Sequence, residues 1–168
     1  MLNNIDLKGI RIAVTGGTSG LGLALVRNLA ANRARVAFVA RRAQLVERVS
    51  RETSACGIVG DVGLKEDIHA MALEIAWNLG GVDVLVNNAS SLGPTPLKLF
   101  ADTECEELHE ALALNVLGPF RLTKALFGAL AASAREGRGA AVIDISSDAA
   151  VSAYSGWGAY GAAKADPA

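Results

Sequence analysis

The sequence predicts an α/β fold, a doubly wound parallel sheet covered by helices on both faces. Short apolar runs alternate along the chain with longer segments whose apolar residues recur at helical spacing. The composition, 51% hydrophobic and 20% charged, is that of a globular protein. At 168 residues the chain can bury a sizeable core, so we expect one domain over residues 1–168.

Continuous apolar runs are predicted to form the strands of this sheet. They are Ile12–Val14, Val36–Ala40, Gly57–Gly60, Val82–Val86 and Ala140–Ile145. A continuous run suits a strand that is buried on both faces of a parallel sheet. Polar or small residues follow each run, and ligands of such sheets bind beyond the carboxyl ends of the strands. We therefore expect the functional site at these strand ends.

Helical periodicity predicts the connections between the strands. Helices are predicted after Gly20, over Ala43–Thr53, over Lys65–Leu79, and from Thr103 to about Arg135. Acidic residues follow Thr103, which is predicted to cap the last helix. That helix is expected to bend near Gly118-Pro119. The stretch Ser90–Asp102 contains Gly93, Pro94 and Pro96 and is predicted to be a loop.

The first strand runs directly into the glycine-rich segment Thr15-Gly-Gly-Thr-Ser-Gly-Leu-Gly22. The order strand, glycine turn, helix is typical of a phosphate-binding unit. Glycines let the backbone approach a pyrophosphate, and the new helix points its unpaired N–H groups at that anion. The spacing is Gly-x-x-x-Gly-x-Gly and not the commoner Gly-x-Gly-x-x-Gly. A tight turn that only packs a helix on a strand would give the same pattern.

Charge and composition exclude several other classes of function. The formal net charge of −1 gives no electrostatic reason to expect a nucleic-acid or membrane partner. No apolar run is long enough to span a bilayer, and the N-terminus has no signal-peptide core, so we expect a cytoplasmic protein. Cys56 and Cys105 form no metal or redox motif, and His69 and His109 are isolated, so no metal site is expected.

Taken in order, these segments resemble the short-chain dehydrogenase/reductase family, whose cofactor domain is Rossmann-type. Thr15 to Gly22 looks like its Thr-Gly-x-x-x-Gly-x-Gly fingerprint. Asn87-Asn-Ala-Ser90 is similar to its Asn-Asn-Ala-Gly motif, with Ser90 in place of the glycine. The family's catalytic asparagine, serine and Tyr-x-x-x-Lys pair are matched by Asn115, Ser147, Tyr160 and Lys164. The resemblance covers essentially the whole chain.

The resemblance implies an oxidoreductase that interconverts a small carbonyl compound and an alcohol by hydride transfer. Tyr160 and Lys164 stand four residues apart and share one face of a helix. A nearby ammonium favours a phenolate, so Tyr160 could exchange a proton with the substrate oxygen. The family implies that Ser147 holds the same oxygen, that Lys164 also holds the nicotinamide ribose, and that Asn115 fixes a water connecting Lys164 to solvent. Tyr154 is an alternative tyrosine without a lysine four residues on.

The cofactor is predicted from the end of the second strand. At this position an acidic residue would bind the ribose 2′-OH of NAD, whereas arginine suits the 2′-phosphate of NADP. Because Arg41 and Arg42 follow the strand, we expect NADP(H) in preference to NAD(H). The alternative is a solvated arginine pair. Asp61 would accept a hydrogen bond from adenine or, alternatively, cap the next helix. The predicted cofactor-binding set is Gly16, Thr18, Ser19, Gly20, Leu21, Gly22, Arg41, Arg42, Asp61, Val62, Asn88, Ala89, Tyr160 and Lys164.

The sequence departs from the family at its end. Family members continue past the Tyr-x-x-x-Lys helix into further helices and two strands, and usually form homo-oligomers, whereas this chain ends at Ala168. We expect an open edge on the fifth strand and, because Pro167 disfavours helix at Asp166, a short helix around Tyr160. A catalytically poor dinucleotide-binding module and an interaction protein that uses the open edge remain alternatives.

Overall fold

The computed structural model describes residues 6–165, which form a five-stranded parallel sheet with helices on both faces. The spatial order is β3-β2-β1-β4-β5. The strands are β1 (Arg11–Thr15), β2 (Arg35–Ala40), β3 (Cys56–Val59), β4 (Val84–Asn87) and β5 (Ala141–Asp144). The predicted fold class is confirmed. The order reverses between β1 and β4, which is the switch point where ligands of doubly wound sheets bind. Asp166 and Pro167 lie outside the described residues.

The helices follow the predicted segments, with two corrections at their starts. They are α1 (Gly20–Ala31), α2 (Ala43–Thr53), α3 (Ile68–Leu79), α4 (Cys105–Leu112), α5 (Gly118–Arg135) and α6 (Gly158–Lys164). The third begins at Ile68 and not at Lys65, because residues 65–67 form a turn. Thr103 does not cap α4. Glu104 does, in a reciprocal capping box with Glu107, whose carboxylate accepts the Glu104 N–H at 3.0 Å.

The long helix before β5 is interrupted immediately before Gly118-Pro119, the place where the sequence predicts a bend. A π-helical turn, Ala113–Leu117, separates α4 from α5, and we call it the π-turn. Pro119 lies in the first turn of α5, directly after the π-turn. Single π-turns within helices frequently lie at functional sites. Here the π-turn carries Asn115.

Both faces of the inner strands β1, β2 and β4 are packed, which explains why these strands are largely apolar. On one face α3 and α5 cover the core through Ile75, Leu122 and Leu126 around Leu85 of β4. On the other face α1 and α2 pack through Val26 and Val46 against residues of β1 and β2. The rigid sheet thereby fixes the strand ends that surround the switch point.

β5 is the edge strand of the described sheet and is open to solvent. It pairs with β4 only, and all four of its residues are exposed. A largely apolar groove of about 800 Å³ runs between β5 and α5, with the exposed rings of Phe120 and Phe127 in its wall. Among the described residues, no helix is long and apolar enough to cross a membrane.

A buried ion network closes the opposite end of the sheet, away from the switch point. Asp83, next to β4, accepts hydrogen bonds from the Arg11 guanidinium at 2.6 and 3.0 Å and from the Ser133 hydroxyl at 2.6 Å. Arg138 donates to both of its oxygens, at 3.2 and 2.9 Å. Burial alone would raise the pKa of Asp83, but the hydrogen bonds from Arg138, Arg11 and Ser133 hold it well below its usual range.

Candidate functional site

A cleft of about 470 Å³ lies over the carboxyl ends of β1 to β4, at the switch point of the sheet. All of the predicted cofactor residues line it except Gly20, Tyr160 and Lys164. Ser90 and Leu114 line it as well, although the sequence did not single them out for this role. Both are neighbours of predicted residues, Ala89 and Asn115, and adjacency was the only available signal.

The glycine-rich loop forms one wall of the cleft. Gly16 has φ +73°, a conformation that L side chains rarely adopt, and its N–H donates to Val39 of β2 at 2.8 Å. A side chain at Gly22 would overlap the Gly16 carbonyl and the Asn88 side chain. No side chain caps α1 at Ser19, so the first-turn N–H groups remain available to an anion in the cleft. The loop therefore fits a pyrophosphate.

Hydrogen bonds tie the ends of β1 and β4 together beneath this loop. The Thr15 hydroxyl accepts the N–H groups of Asn88 and Ala89, both at 3.0 Å. The Asn88 side chain donates to the Thr15 carbonyl at 2.9 Å. Thr15 begins the glycine-rich fingerprint, but these two bonds could not be inferred from the sequence, because its partners lie more than seventy residues away in the chain. Asn87 bridges β4 to β5 through Asp144 at 2.8 Å, the structural role its position suggests.

We expect Gly22→Ala to destabilise the chain and to weaken cofactor binding. The new methyl group has no space beside Gly16 and Asn88, and overpacking of this kind costs about 1–3 kcal/mol. Gly128→Ala is the matched control, because its methyl group would meet no atom and alanine favours the helix α5. Denaturant unfolding and NADPH titration measure both effects. Equal stability changes in the two variants would contradict the packing argument.

Arg41, Arg42 and Asp61 line the cleft just beyond the carboxyl ends of β2 and β3. The Arg41 guanidinium is 3.7 Å from the Asp61 carboxylate, and both arginines are exposed. Asp61 does not cap α3, since its Oδ1 accepts from Gly63 at 2.9 Å and α3 begins only at Ile68. The guanidinium groups leave this end of the cleft suited to a phosphate.

The π-turn brings Asn115 to the end of β4. Asn115 is buried, and its Oδ1 accepts from the Ser90 hydroxyl at 2.9 Å and from the Ser91 N–H at 3.0 Å. Its Nδ2 donates to the Ser91 carbonyl at 2.8 Å. The side chain therefore binds the loop after β4, and among the described residues it has no direct hydrogen bond to Lys164.

Tyr160 and Lys164 lie on α6, which packs against the π-turn and α4. Lys164 donates to the Ile145 carbonyl, just beyond β5, at 2.7 Å, and its ammonium lies 5.9 Å from the centre of the Tyr160 ring. Trp157 packs edge-on against Tyr160, with ring centres 5.5 Å apart. α6 thus places a phenol and an ammonium close together beside the end of β5.

Ser147 lies in the connection between β5 and α6. Its hydroxyl accepts the Ala149 N–H and donates to the Asp148 carboxylate, both at 3.2 Å. Tyr154 also donates to Asp148, at 2.7 Å; this bond lowers the pKa of Asp148 and raises that of Tyr154. Tyr154 is therefore a weaker acid than a free tyrosine. In the described part of the chain, no hydrogen bond joins Ser147 to Tyr160.

The strand ends thus hold two groups of predicted residues. The phosphate-binding and adenine-binding candidates share the cleft, while Tyr160 and Lys164 lie on α6 and Ser147 lies before it. In residues 6–165, no three His, Cys, Asp or Glu side chains are grouped as a metal site would require.

Comparison with known proteins decides the family. The sequence profile described as short chain dehydrogenase matches residues 11–166. The chain belongs to the short-chain dehydrogenase/reductase family. It is 35% identical to a probable oxidoreductase from Streptomyces antibioticus, over 96% of this chain and 57% of that protein. It is also 35% identical to the human mitochondrial dehydrogenase/reductase SDR family member 2, over 95% of this chain and 58% of the relative.

Solved structures of short-chain dehydrogenases share the fold. A Burkholderia cenocepacia member in complex with NADP superposes with a TM-score of 0.85 at 27% identity, over 95% of this chain and 64% of that one. A Streptomyces avermitilis member has a TM-score of 0.82 at 33% identity, over 93% of this chain and 56% of that one. The chain spans from 35% to 58% of the lengths of its relatives among known proteins.

Proposed function

We propose that this short-chain dehydrogenase/reductase interconverts a small carbonyl compound and an alcohol with NADP(H). The observation that supports the proposal is a cleft at the strand ends whose glycine-rich loop fits a pyrophosphate, in a chain that carries Tyr160 and Lys164 together on α6. The NADP complex of the Burkholderia cenocepacia relative supports the same class of cofactor.

The cleft residues have distinct parts in holding the cofactor. The first-turn N–H groups of α1 bind the pyrophosphate, and the tight contact at Gly22 keeps the loop close to it. Asp61 and Val62 border the adenine position, and Arg41 and Arg42 bind the 2′-phosphate. Asn88 and Ala89 form the floor toward the ribose, and Gly20 belongs to the turn that begins α1.

The chemistry supplied by a bound nicotinamide is hydride transfer. Tyr160 donates a proton from its phenol oxygen to the carbonyl oxygen during reduction and takes it back during oxidation. The Lys164 ammonium lies 5.9 Å from the centre of the Tyr160 ring, on the same helix. Ser147 orients the substrate oxygen, after its hydroxyl turns from Asp148, and Asn115 holds the π-turn against the loop after β4.

The proposal is tested by incubating the protein with NADPH and a panel of ketones, aldehydes and oxoacyl thioesters. We expect NADPH absorbance to fall with at least one class of substrate, and a new alcohol to form. Absence of NADPH binding by fluorescence titration would refute the cofactor assignment. NADPH binding without turnover across the panel would favour the second candidate.

That second candidate is a dinucleotide-binding module with little turnover. The observation that favours it is the open groove beside β5, whose wall includes Lys164 and Ser146. A catalytic site of this type depends on excluding water around the transferred hydride. Vigorous turnover by the 168-residue chain would exclude this candidate.

We expect Arg41→Ala combined with Arg42→Ala to remove the preference for NADPH. Each charged hydrogen bond to the 2′-phosphate contributes about 1.5–3 kcal/mol, so loss of two of them should raise the dissociation constant for NADPH on the order of 10²- to 10⁴-fold. The dissociation constant for NADH, which lacks this phosphate, should change little. Arg51→Ala is the control, because Arg51 pairs with Glu47 at the far end of α2. An unchanged NADPH preference in the double variant would refute the assignment.

A further inference from the structure

The loop after β4 contains Ser90, whose side-chain hydrogen bond to Asn115 has no part in the proposed function. Ser90 stands where the family motif has glycine, and its hydroxyl donates to Asn115 Oδ1 at 2.9 Å. The same residue lines the cofactor cleft beside Ala89 and Leu114. Ser90 therefore joins the wall of the cleft to the buried asparagine of the π-turn through one side chain.

The hydrogen bonds of Asn115 show how much depends on this loop. Oδ1 accepts two hydrogen bonds, from Ser90 and from the Ser91 backbone, and Nδ2 donates one to the Ser91 carbonyl. The backbone of Ser91 fixes which way the amide faces, since a flipped amide would set its NH2 group against the Ser91 N–H and its oxygen against the Ser91 carbonyl. The Ser90 hydroxyl adds the only side-chain bond to Asn115 within residues 6–165.

We propose that Ser90 is a positioning residue that holds the Asn115 amide and so couples the π-turn to the cofactor cleft. The inference rests on the proposed function in one respect, that the cleft beside Ser90 holds NADP(H). The hydrogen bond from Ser90 to Asn115 is present in the chain without cofactor. A ligand that orders the cleft wall at Ser90 therefore also restrains Asn115, and α6 packs on the π-turn that carries it.

The sequence offers a matched pair of serines for the test. Ser90→Ala removes the hydroxyl that binds Asn115. Ser91→Ala removes a neighbouring hydroxyl that accepts only from Gly93, at 3.2 Å, and leaves the backbone bonds of Ser91 to Asn115 in place. Ser90→Thr restores a hydroxyl at the first position. Each variant is made in the full 168-residue chain. Its fold is checked by comparing the backbone amide signals of its NMR spectrum with those of wild type.

The measurement is the solvent-exchange rate of the Asn115 side-chain amide by NMR, with and without NADPH. Opening of this amide breaks its hydrogen bonds together, so loss of one bond should speed exchange about two- to tenfold in Ser90→Ala. Ser91→Ala and Ser90→Thr should stay close to wild type. NADPH should slow the exchange in wild type and should slow it less in Ser90→Ala.

The outcomes separate this inference from the proposed function. Equal exchange rates in Ser90→Ala and Ser91→Ala overturn the role of Ser90, whatever the cofactor does. Equal slowing by bound NADPH in wild type and Ser90→Ala overturns the coupling. Failure of NADPH to bind wild type refutes the proposed function, and the free-chain comparison still decides whether Ser90 holds Asn115.

Discussion

Tyr160→Phe is expected to abolish nearly all carbonyl reduction while leaving NADPH binding almost unchanged. The substitution removes the phenol oxygen that exchanges a proton with the substrate and keeps the ring that packs on Trp157. General acid–base groups contribute typically ~10²- to 10⁴-fold to rate, so kcat should fall by a factor in that range. Steady-state assays with the best substrate of the panel measure this loss, and fluorescence titration measures the NADPH affinity.

Tyr154→Phe provides the matched control for this prediction. Tyr154 lies six residues earlier, packs on the other side of Trp157, and donates its hydroxyl to Asp148. Because this bond raises the pKa of Tyr154, its phenol should not serve as the proton donor. We expect Tyr154→Phe to retain most of the activity. Undiminished reduction by Tyr160→Phe would require a different proton donor, and loss of activity only in Tyr154→Phe would identify it.

The fold was predictable because its signals are local. A parallel strand buried on both faces must be apolar throughout, so runs such as Val36–Ala40 stand out in a single sequence. The glycine-rich segment also follows directly from β1, which identifies a βα unit without knowledge of any partner. The first residues of the helices were predicted less accurately. Thr103 has the residue type of a cap, but the reciprocal bonds that define the cap belong to Glu104 and Glu107.

The details of the site were predictable only where they depend on position along a strand. Strand ends bring Asn88 and Arg41 to the cleft by topology alone. The partners of Asn115 could not be inferred, because they depend on a π-turn that has no simple sequence periodicity and on a loop 24 residues earlier. The hydrogen bond from Ser147 to Asp148 could not be inferred either, because it depends on the turn after β5.

The ion network around Asp83 shows the same limit most clearly. Arg11 and Asp83 are separated by 72 residues, and in the sequence Arg11 simply precedes one apolar run while Asp83 interrupts another. Parallel pairing of β1 with β4 makes them neighbours, and the turn after α5 adds Arg138. Only the assembled sheet shows that three distant segments meet at one carboxylate.

Asp83→Asn is therefore expected to destabilise the fold more than any surface substitution. The Asp83 side chain is only 4% exposed, and the amide would leave the Arg11 guanidinium with only the more distant and exposed Glu136 carboxylate, at 3.6 Å, as a counter-charge. Removing one partner of a buried ion pair costs about 3–5 kcal/mol. Glu52→Gln is the control, since the pair of Glu52 with Arg27 is exposed and should contribute little. Denaturant unfolding measures both, and equal midpoints for the two variants would contradict the role of the network.

The pH dependence of unfolding gives an independent check on Asp83. Its folded-state pKa lies well below the value of about 3.9 for an unfolded aspartate. The folded state is therefore favoured by the ionised carboxylate above about pH 4, and this contribution is lost as the pH falls below that value toward the folded-state pKa. The unfolding free energy of wild type should fall more steeply in acid than that of Asp83→Asn. Parallel curves would mean that Arg11 and Arg138 do not hold this carboxylate ionised.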